Sequence, residues 1–208
     1  MMTANTTPLR LAILLSGGGR TMVNIQQRIQ AGTLSAQIAV VIASRPCKGL
    51  ELARAAGLDV HLVSFKDNPQ PQYSNTITSL LDAARVDIVV MAGFLSMWHI
   101  PPSYMGKVVN IHPALLPAFG GHRMYGHHVH EAVLRHGCKV SGCTVHYVTN
   151  EYDQGPIILQ RCVPVMEDDT PVSLAARVFE QETEAFPEAL QLIAEGRVKV
   201  EGHRARIR

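Results

Sequence analysis

In the first half of the chain, hydrophobic residues come in short dense runs. Between the runs lie stretches where they recur every three or four positions. A short apolar run bounded by turn residues reads as a strand covered on both faces, and the spaced pattern reads as an amphipathic helix. On this reading the strands are Leu9 to Leu15, Gln37 to Ala43, Leu58 to Val63, Val86 to Ala92 and Lys107 to His112. Helices fill the gaps at about Thr21 to Gln30, Lys48 to Ala56 and Gln70 to Ala84, with Gly32 and Gly57 as stops after the first two. Alternating strands and helices predict a Rossmann-like, doubly wound α/β sheet.

The pattern changes after Pro117. Phe119 to Gly126 is Gly-rich and reads as a loop, and His127 to His136 as a short helix stopped by Gly137. Val140 to Val148 and Pro156 to Val165 read as strands, close enough in sequence to pair antiparallel across a polar loop. A long helix is expected over Pro171 to Glu195. Val172, Ala176, Phe179, Thr183, Phe186, Leu190 and Ile193 form its expected buried face, and Pro187 an expected kink. The predicted fold is therefore α/β, parallel in the N-terminal half, with antiparallel strands added in the C-terminal half and a long C-terminal helix. One domain over 1–208 is expected, in two halves of about 9–112 and 113–200.

Composition narrows the class. With 47% hydrophobic and 17% charged residues among 208, the chain is globular. A net charge of +2 gives no broad basic surface for nucleic acid. No apolar run approaches the ~20 residues of a membrane span, and the Thr-rich start lacks a signal peptide's apolar core. Cys47, Cys138, Cys143 and Cys162 form no CxxC pair and read as reduced thiols of a cytoplasmic protein.

Polar residues inside these apolar patterns mark the candidate chemistry. Asn110 and His112 close a buried strand. Two apart, they share a face, and Pro113 ends the strand there. An amide donor beside an acid/base group suits acyl transfer. Asp153, in a polar loop, could orient the imidazole. Gly17, Gly18 and Gly19, followed by Arg20 and Thr21, lie between a strand and a helix, where backbone N–H groups can cradle one phosphate. The loop lacks GxGxxG and the Lys of a P-loop, which argues against a dinucleotide. His122, His127, His128, His130 and His136 match no ligand spacing, so no metal site is expected. Glu182 lies beside the apolar face of the long helix.

With these motifs together, the chain resembles the phosphoribosylglycinamide formyltransferases of the folate-dependent formyltransferase superfamily. The carriers are Leu15-Ser16-Gly17-Gly18-Gly19, Met91-Ala92-Gly93-Phe94, Asn110-Ile111-His112-Pro113-Ala114-Leu115-Leu116-Pro117, Gly142 to Val148, Tyr152 to Ile158 and Gln181-Glu182. The resemblance implies formyl transfer from 10-formyltetrahydrofolate to the amine of glycinamide ribonucleotide, without a metal. Its partners would be small molecules, not nucleic acid or membrane, with a homodimer possible. It makes Asn110, His112 and Asp153 catalytic and assigns Gly17, Gly18, Gly19, Arg20, Thr21, Pro113 and Glu182 to the phosphorylated substrate. Met91, Phe94, Leu95, Ser96, Met97, Trp98, Asn110, Val148, Thr149, Tyr152 and Asp153 would hold the folate.

The chain departs from the family pattern at Gly19-Arg20-Thr21, where Gly-Ser-Asn is usual. It departs again near the third helix, where a phosphate-binding Arg is usual and Gln70 or its neighbours stand in that place, and over Gly120 to Gly126. Arg20 is expected to supply the missing charge. A methionyl-tRNA formyltransferase would need a further C-terminal domain, and a formyltetrahydrofolate hydrolase an N-terminal regulatory one. A folate- or nucleotide-binding protein without chemistry would have no use for the polar trio.

Overall fold

The computed structural model describes residues 7–208; the first six residues, in the Thr-rich start, lie outside them. The chain divides into two compact units, with the division between Val109 and Asn110.

The first unit carries β1 (Leu9–Leu15), β2 (Ala36–Ala43), β3 (Val60–Leu62) and β4 (Ile88–Met91), in the order β3-β2-β1-β4. All pairs are parallel. Leu11, Ile13, Leu14, Val41, Ile42, Val89 and Val90 are wholly or almost wholly buried, as runs without polar alternation require. Three helices connect the strands: α1 (Arg20–Gln30), α2 (Lys48–Ala55) and α3 (Gln72–Ala83). α1 turns Met22 and Ile25 inward. Ligands of such sheets bind beyond the carboxyl ends of the strands, and the Gly17–Gly19 loop leaves β1 at that end.

The second unit begins within β5 (Val108–His112). It continues through α4 (His127–Arg135), β6 (Val140–Tyr147), β7 (Ile157–Pro164), α5 (Pro171–Ala194), β8 (Val198–Glu201) and β9 (Arg204–Ile207). Its strand order is β5-β6-β7-β9-β8. β6 and β7 pair antiparallel, as expected. The β8–β9 hairpin was not expected, although Val198-Lys199-Val200-Glu201 alternates as a strand does and Gly202 adopts φ +60° at the turn. Four residues per strand are too few to separate from a polar tail.

The expected face of α5 needs correction. Val172 is 66% exposed and Ala176 is exposed, whereas Leu174, Val178, Ala185, Phe186, Ala189, Leu190 and Leu192 are buried. Phe186 and Leu190 are buried as expected, but the helix is apolar on more than one side, and in its first half packing turns Leu174 and Val178 inward in place of Val172 and Ala176. Glu182 lies one turn beyond Val178 and one turn before Phe186, inside the true stripe. The helix continues through Pro187.

Candidate active site

β5 delivers Asn110 and His112 as alternation requires, and both reach groups around one carboxylate. His112 is 3% exposed, and its Nδ1 lies 3.6 Å from Asp153 Oδ2. Its Nε2 donates to Phe119 O at 2.8 Å. That bond fixes a proton on Nε2, and Nδ1 is the ring nitrogen that faces the carboxylate. The strand end is held by Thr144 of β6, whose hydroxyl donates to Ala114 O at 2.6 Å and accepts from Leu116 N at 3.0 Å. Gln160 of β7 adds a bond to Leu116 O at 2.9 Å. The Pro113–Pro117 turn is therefore clamped by side chains of two neighbouring strands.

His146 was quoted in a motif but given no role. At the end of β6 it is buried, with Nδ1 donating to Tyr147 O at 2.8 Å. Burial is the main cause that lowers its pKa, against the opposing pull of that backbone bond and of Asp153; the nearby His112 lowers it further. The ring is neutral at pH 7, so its Nε2 is an acceptor. Asn110 Nδ2 donates to it at 3.3 Å. One hydrogen of the Asn110 amide is thus spent on orientation and the other stays available. His146 Nε2 also lies 3.7 Å from Asp153 Oδ1, so the two oxygens of one carboxylate face two imidazoles. An imidazole between Val145 and Tyr147 at the end of a strand was the signal that could have found His146.

Asp153 adopts φ +56°, a left-handed conformation in which Asp is several-fold enriched among non-glycine residues. Its side chain is 13% exposed. Gly121 N donates to Asp153 Oδ2 at 2.8 Å. A Cβ on Gly120 would come within 2.6 Å of Leu116 Cδ2 and 3.2 Å of Asp153 Cβ. The Gly120–Gly126 departure therefore has a local reason at its start: a side chain there would make Leu116 move and crowd Asp153. At the other side of the loop, a Cβ on Gly155 would overlap Tyr147 O at 1.7 Å.

Val148 and Thr149 are half-buried beside this cluster in sequence, and Tyr152 is exposed, tilted against His122 with ring centroids 5.7 Å apart. Pro113 is half-buried. Glu182 is half-buried too, and its charge adds to burial in pushing the Cys143 thiol up to about 12. A solvated helix-edge charge would not do that. Of the histidine run, His130 is 4% exposed, and its Nδ1 is buried without a hydrogen bond. Burial, with His127 and His112 nearby, pushes its pKa down to about 4. Among the described residues no group of three or more His, Cys, Asp or Glu is set to hold a metal.

In the first unit, Gly17, Gly18 and Gly19 precede α1, and Arg20 is its exposed first residue, with Thr21 half-buried behind it. Gly19 has a structural reason: φ is +77°, and a Cβ would sit 2.6 Å from Gly49 Cα. Gly17 and Gly18 border open space. The N–H groups of Gly17, Gly18 and Gly19 find no protein acceptor among the described residues. Such a loop can accept an anion.

The Met91–Trp98 segment is tied to that loop. Ser16 N donates to Gly93 O at 3.1 Å and Leu95 N to Ser16 Oγ at 2.9 Å. Met91, Phe94, Ser96 and Met97 are half-buried, and Leu95 is exposed. Trp98 is different. It is 2% exposed, packs edge-on against Tyr104 and donates to Thr78 Oγ1, so its indole belongs to the core. Gln70 Nε2 donates to Met97 O at 3.0 Å. Gln70 therefore braces the Met91–Trp98 segment.

Comparison with known proteins agrees with the resemblance. The family model for formyl transferase matches residues 9–190. A chloroplastic phosphoribosylglycinamide formyltransferase of Arabidopsis thaliana is 38% identical over 196 residues, covering 91% of this chain and 67% of the relative. The trifunctional purine biosynthetic protein adenosine-3 of Homo sapiens is 37% identical over 195 residues, and the match covers 92% of this chain but only 19% of that protein. The crystal structure of glycinamide ribonucleotide transformylase 1 from Symbiobacterium toebii superposes with a TM-score of 0.89 at 39% identity, covering 97% of this chain and 94% of that one. The α/β architecture, the matched span and these relatives agree, and the chain belongs to the formyl transferase family.

Proposed function

We propose that this chain is a phosphoribosylglycinamide formyltransferase, moving the formyl group of 10-formyltetrahydrofolate to the amine of glycinamide ribonucleotide in purine synthesis. The two units act as one cytoplasmic formyltransferase domain on small-molecule substrates. The observation that carries the reading is the buried cluster in which one carboxylate faces two imidazoles and a fixed amide.

The substrate amine attacks the formyl carbon, and the carbonyl oxygen gains negative charge. The unspent N–H of Asn110 donates to that oxygen, and Nδ1 of His112 is the ring nitrogen left for it, since Nε2 is bound to Phe119 O. Donors fixed before reaction cost no reorganisation, and losing one such donor costs about 10²–10³ in rate. Asp153 faces Nδ1 of His112 and helps carry the proton of the attacking amine to the leaving N10 of the folate. The C–N10 bond breaks, tetrahydrofolate leaves, and the formyl group stays on the amine. His146 is a positioning residue: its neutral Nε2 holds the Asn110 amide. The Gly17–Thr21 loop takes the substrate's phosphate, and Pro113 and Glu182 its glycinamide and ribose. Met91, Phe94, Leu95, Ser96 and Met97, with the backbone of Trp98, are assigned to the folate, and so are Val148, Thr149 and Tyr152.

The test is a turnover assay with 10-formyltetrahydrofolate, run with glycinamide ribonucleotide and with water alone. Formylated ribonucleotide in the first and little formate in the second is the expected result. Formate at equal rates in both would refute transfer and favour hydrolysis.

A further inference from the structure

The segment that follows β2 is built around the Gly17–Gly19 loop. Ser44 N donates to Leu15 O at 3.1 Å, and the Ser16 and Ser44 hydroxyls share a buried 2.6 Å bond. Arg45 Nε donates to Ser16 O at 2.8 Å, and Gly49 N to Gly17 O at 3.0 Å. Two successive carbonyls at the start of the loop are thus occupied by donors. Their negative ends are neutralised, while the N–H groups of Gly17–Gly19 keep no protein acceptor. The arrangement is biased toward an anion.

Arg45 does more than occupy a carbonyl. Its bond uses Nε, and neither Nη group makes a hydrogen bond or ion pair among the described residues. The side chain is therefore anchored at its neck, with a forked, always charged head free for a planar or tetrahedral oxyanion. Anchoring lowers the side-chain entropy that a ligand's arrival would otherwise cost. Of the other positions considered, Gln70 has no charge and braces Met97, and Arg20, exposed like Arg45, is the first residue of α1.

We propose that Arg45 is a phosphate-binding residue for the substrate, supplying the positive charge at the Gly17–Gly19 loop in place of the family's usual arginine. This rests on the reading of the substrate as a phosphorylated amine.

The test separates anchoring from anion binding, because Ser16 is shared. Its hydroxyl accepts from Leu95 N in the folate segment, so a purely structural loss at Ser16 would also disturb folate binding. Steady-state kinetics of Arg45→Ala should show KM for glycinamide ribonucleotide raised about tenfold, the scale of a lost charge-assisted hydrogen bond. The KM for 10-formyltetrahydrofolate and kcat should stay within about twofold. Arg54→Ala, removing an exposed charge elsewhere on α2, should change neither. An unchanged ribonucleotide KM, or equal rises in both KM values, would overturn the proposal. Calorimetric titration with inorganic phosphate gives a readout independent of turnover. Weaker phosphate binding by Arg45→Ala than by wild type is expected, and equal binding would overturn the proposal. If the wild-type protein fails to formylate the ribonucleotide, the functional reading falls while the phosphate titration still decides the role of Arg45.

Discussion

The strand-end cluster and the glycine loop prepare for ligands in opposite ways. At the cluster, His112 and His146 are buried and Asn110 and Asp153 half-buried, and they spend most of their hydrogen bonds on one another or on backbone: Phe119 O, Tyr147 O and Gly121 N. Buried polar groups that are nearly satisfied are held rigidly, and rigidity is what charge stabilisation at a transition state needs. At Gly17–Gly19 the side chains are absent, the carbonyls of Ser16 and Gly17 are occupied, and the N–H groups have no protein acceptor. That loop is arranged to recognise a charge that arrives already formed. The contrast implies that changes in the first region lower kcat and changes in the second raise KM.

The largest effect is expected at the carboxylate. Asp153→Asn keeps the shape but removes the charge facing both imidazoles, and kcat should fall at least about a hundredfold, the lower range for general acid–base groups. Steady-state kinetics with circular dichroism as a folding control checks this. A rise in KM with kcat intact would break the contrast.

His146→Phe keeps the volume and removes the acceptor for Asn110. The expected loss is about tenfold in kcat, smaller than deleting a donor because the amide itself remains. Both KM values should hold. An unaltered kcat would show that Asn110 needs no such brace.

A stability effect follows from His130. Its pKa in the fold is near 4, below the ordinary 6.5, so the fold favours the neutral ring. Unfolding takes up a proton between those values. The stability it contributes is full above about pH 6.5 and is lost as pH falls toward 4, on the order of 3 kcal/mol in all. Thermal melts of wild type and His130→Leu across pH 4–7 should show a shallower acid decline in the variant. Parallel declines would refute the assignment.

The smallest effect is expected at Arg20. It is exposed, so Arg20→Ala should raise the ribonucleotide KM about threefold, within the range for a solvent-screened charge. A larger rise than that of Arg45→Ala would reverse their ranking.

The sequence made the strand ends legible because backbone alternation alone aims Asn110 and His112 together. It located Asp153 because a carboxylate in a polar loop stands out. His146 stayed hidden: its role depends on burial and on a bond to Asn110, thirty-six residues away. A resemblance places the Met91–Trp98 segment but not which of its side chains turn into the core, as the Trp98 indole does. The face of α5 was legible at Phe186 and Leu190 but not in the first half of the helix, where two apolar registers compete. Gln70 and Arg45 show the same lesson at the loop, where a missing charge was visible in sequence but its replacement depends on which side chain reaches Ser16 O.

The central claim is that a fixed amide at the strand end stabilises the transferring formyl group. Single-turnover formyl transfer by Asn110→Ala, at saturating folate and ribonucleotide, tests it most directly. A rate at least about a hundredfold below wild type, with both dissociation constants unchanged, is the expected result. Transfer near the wild-type rate would contradict it.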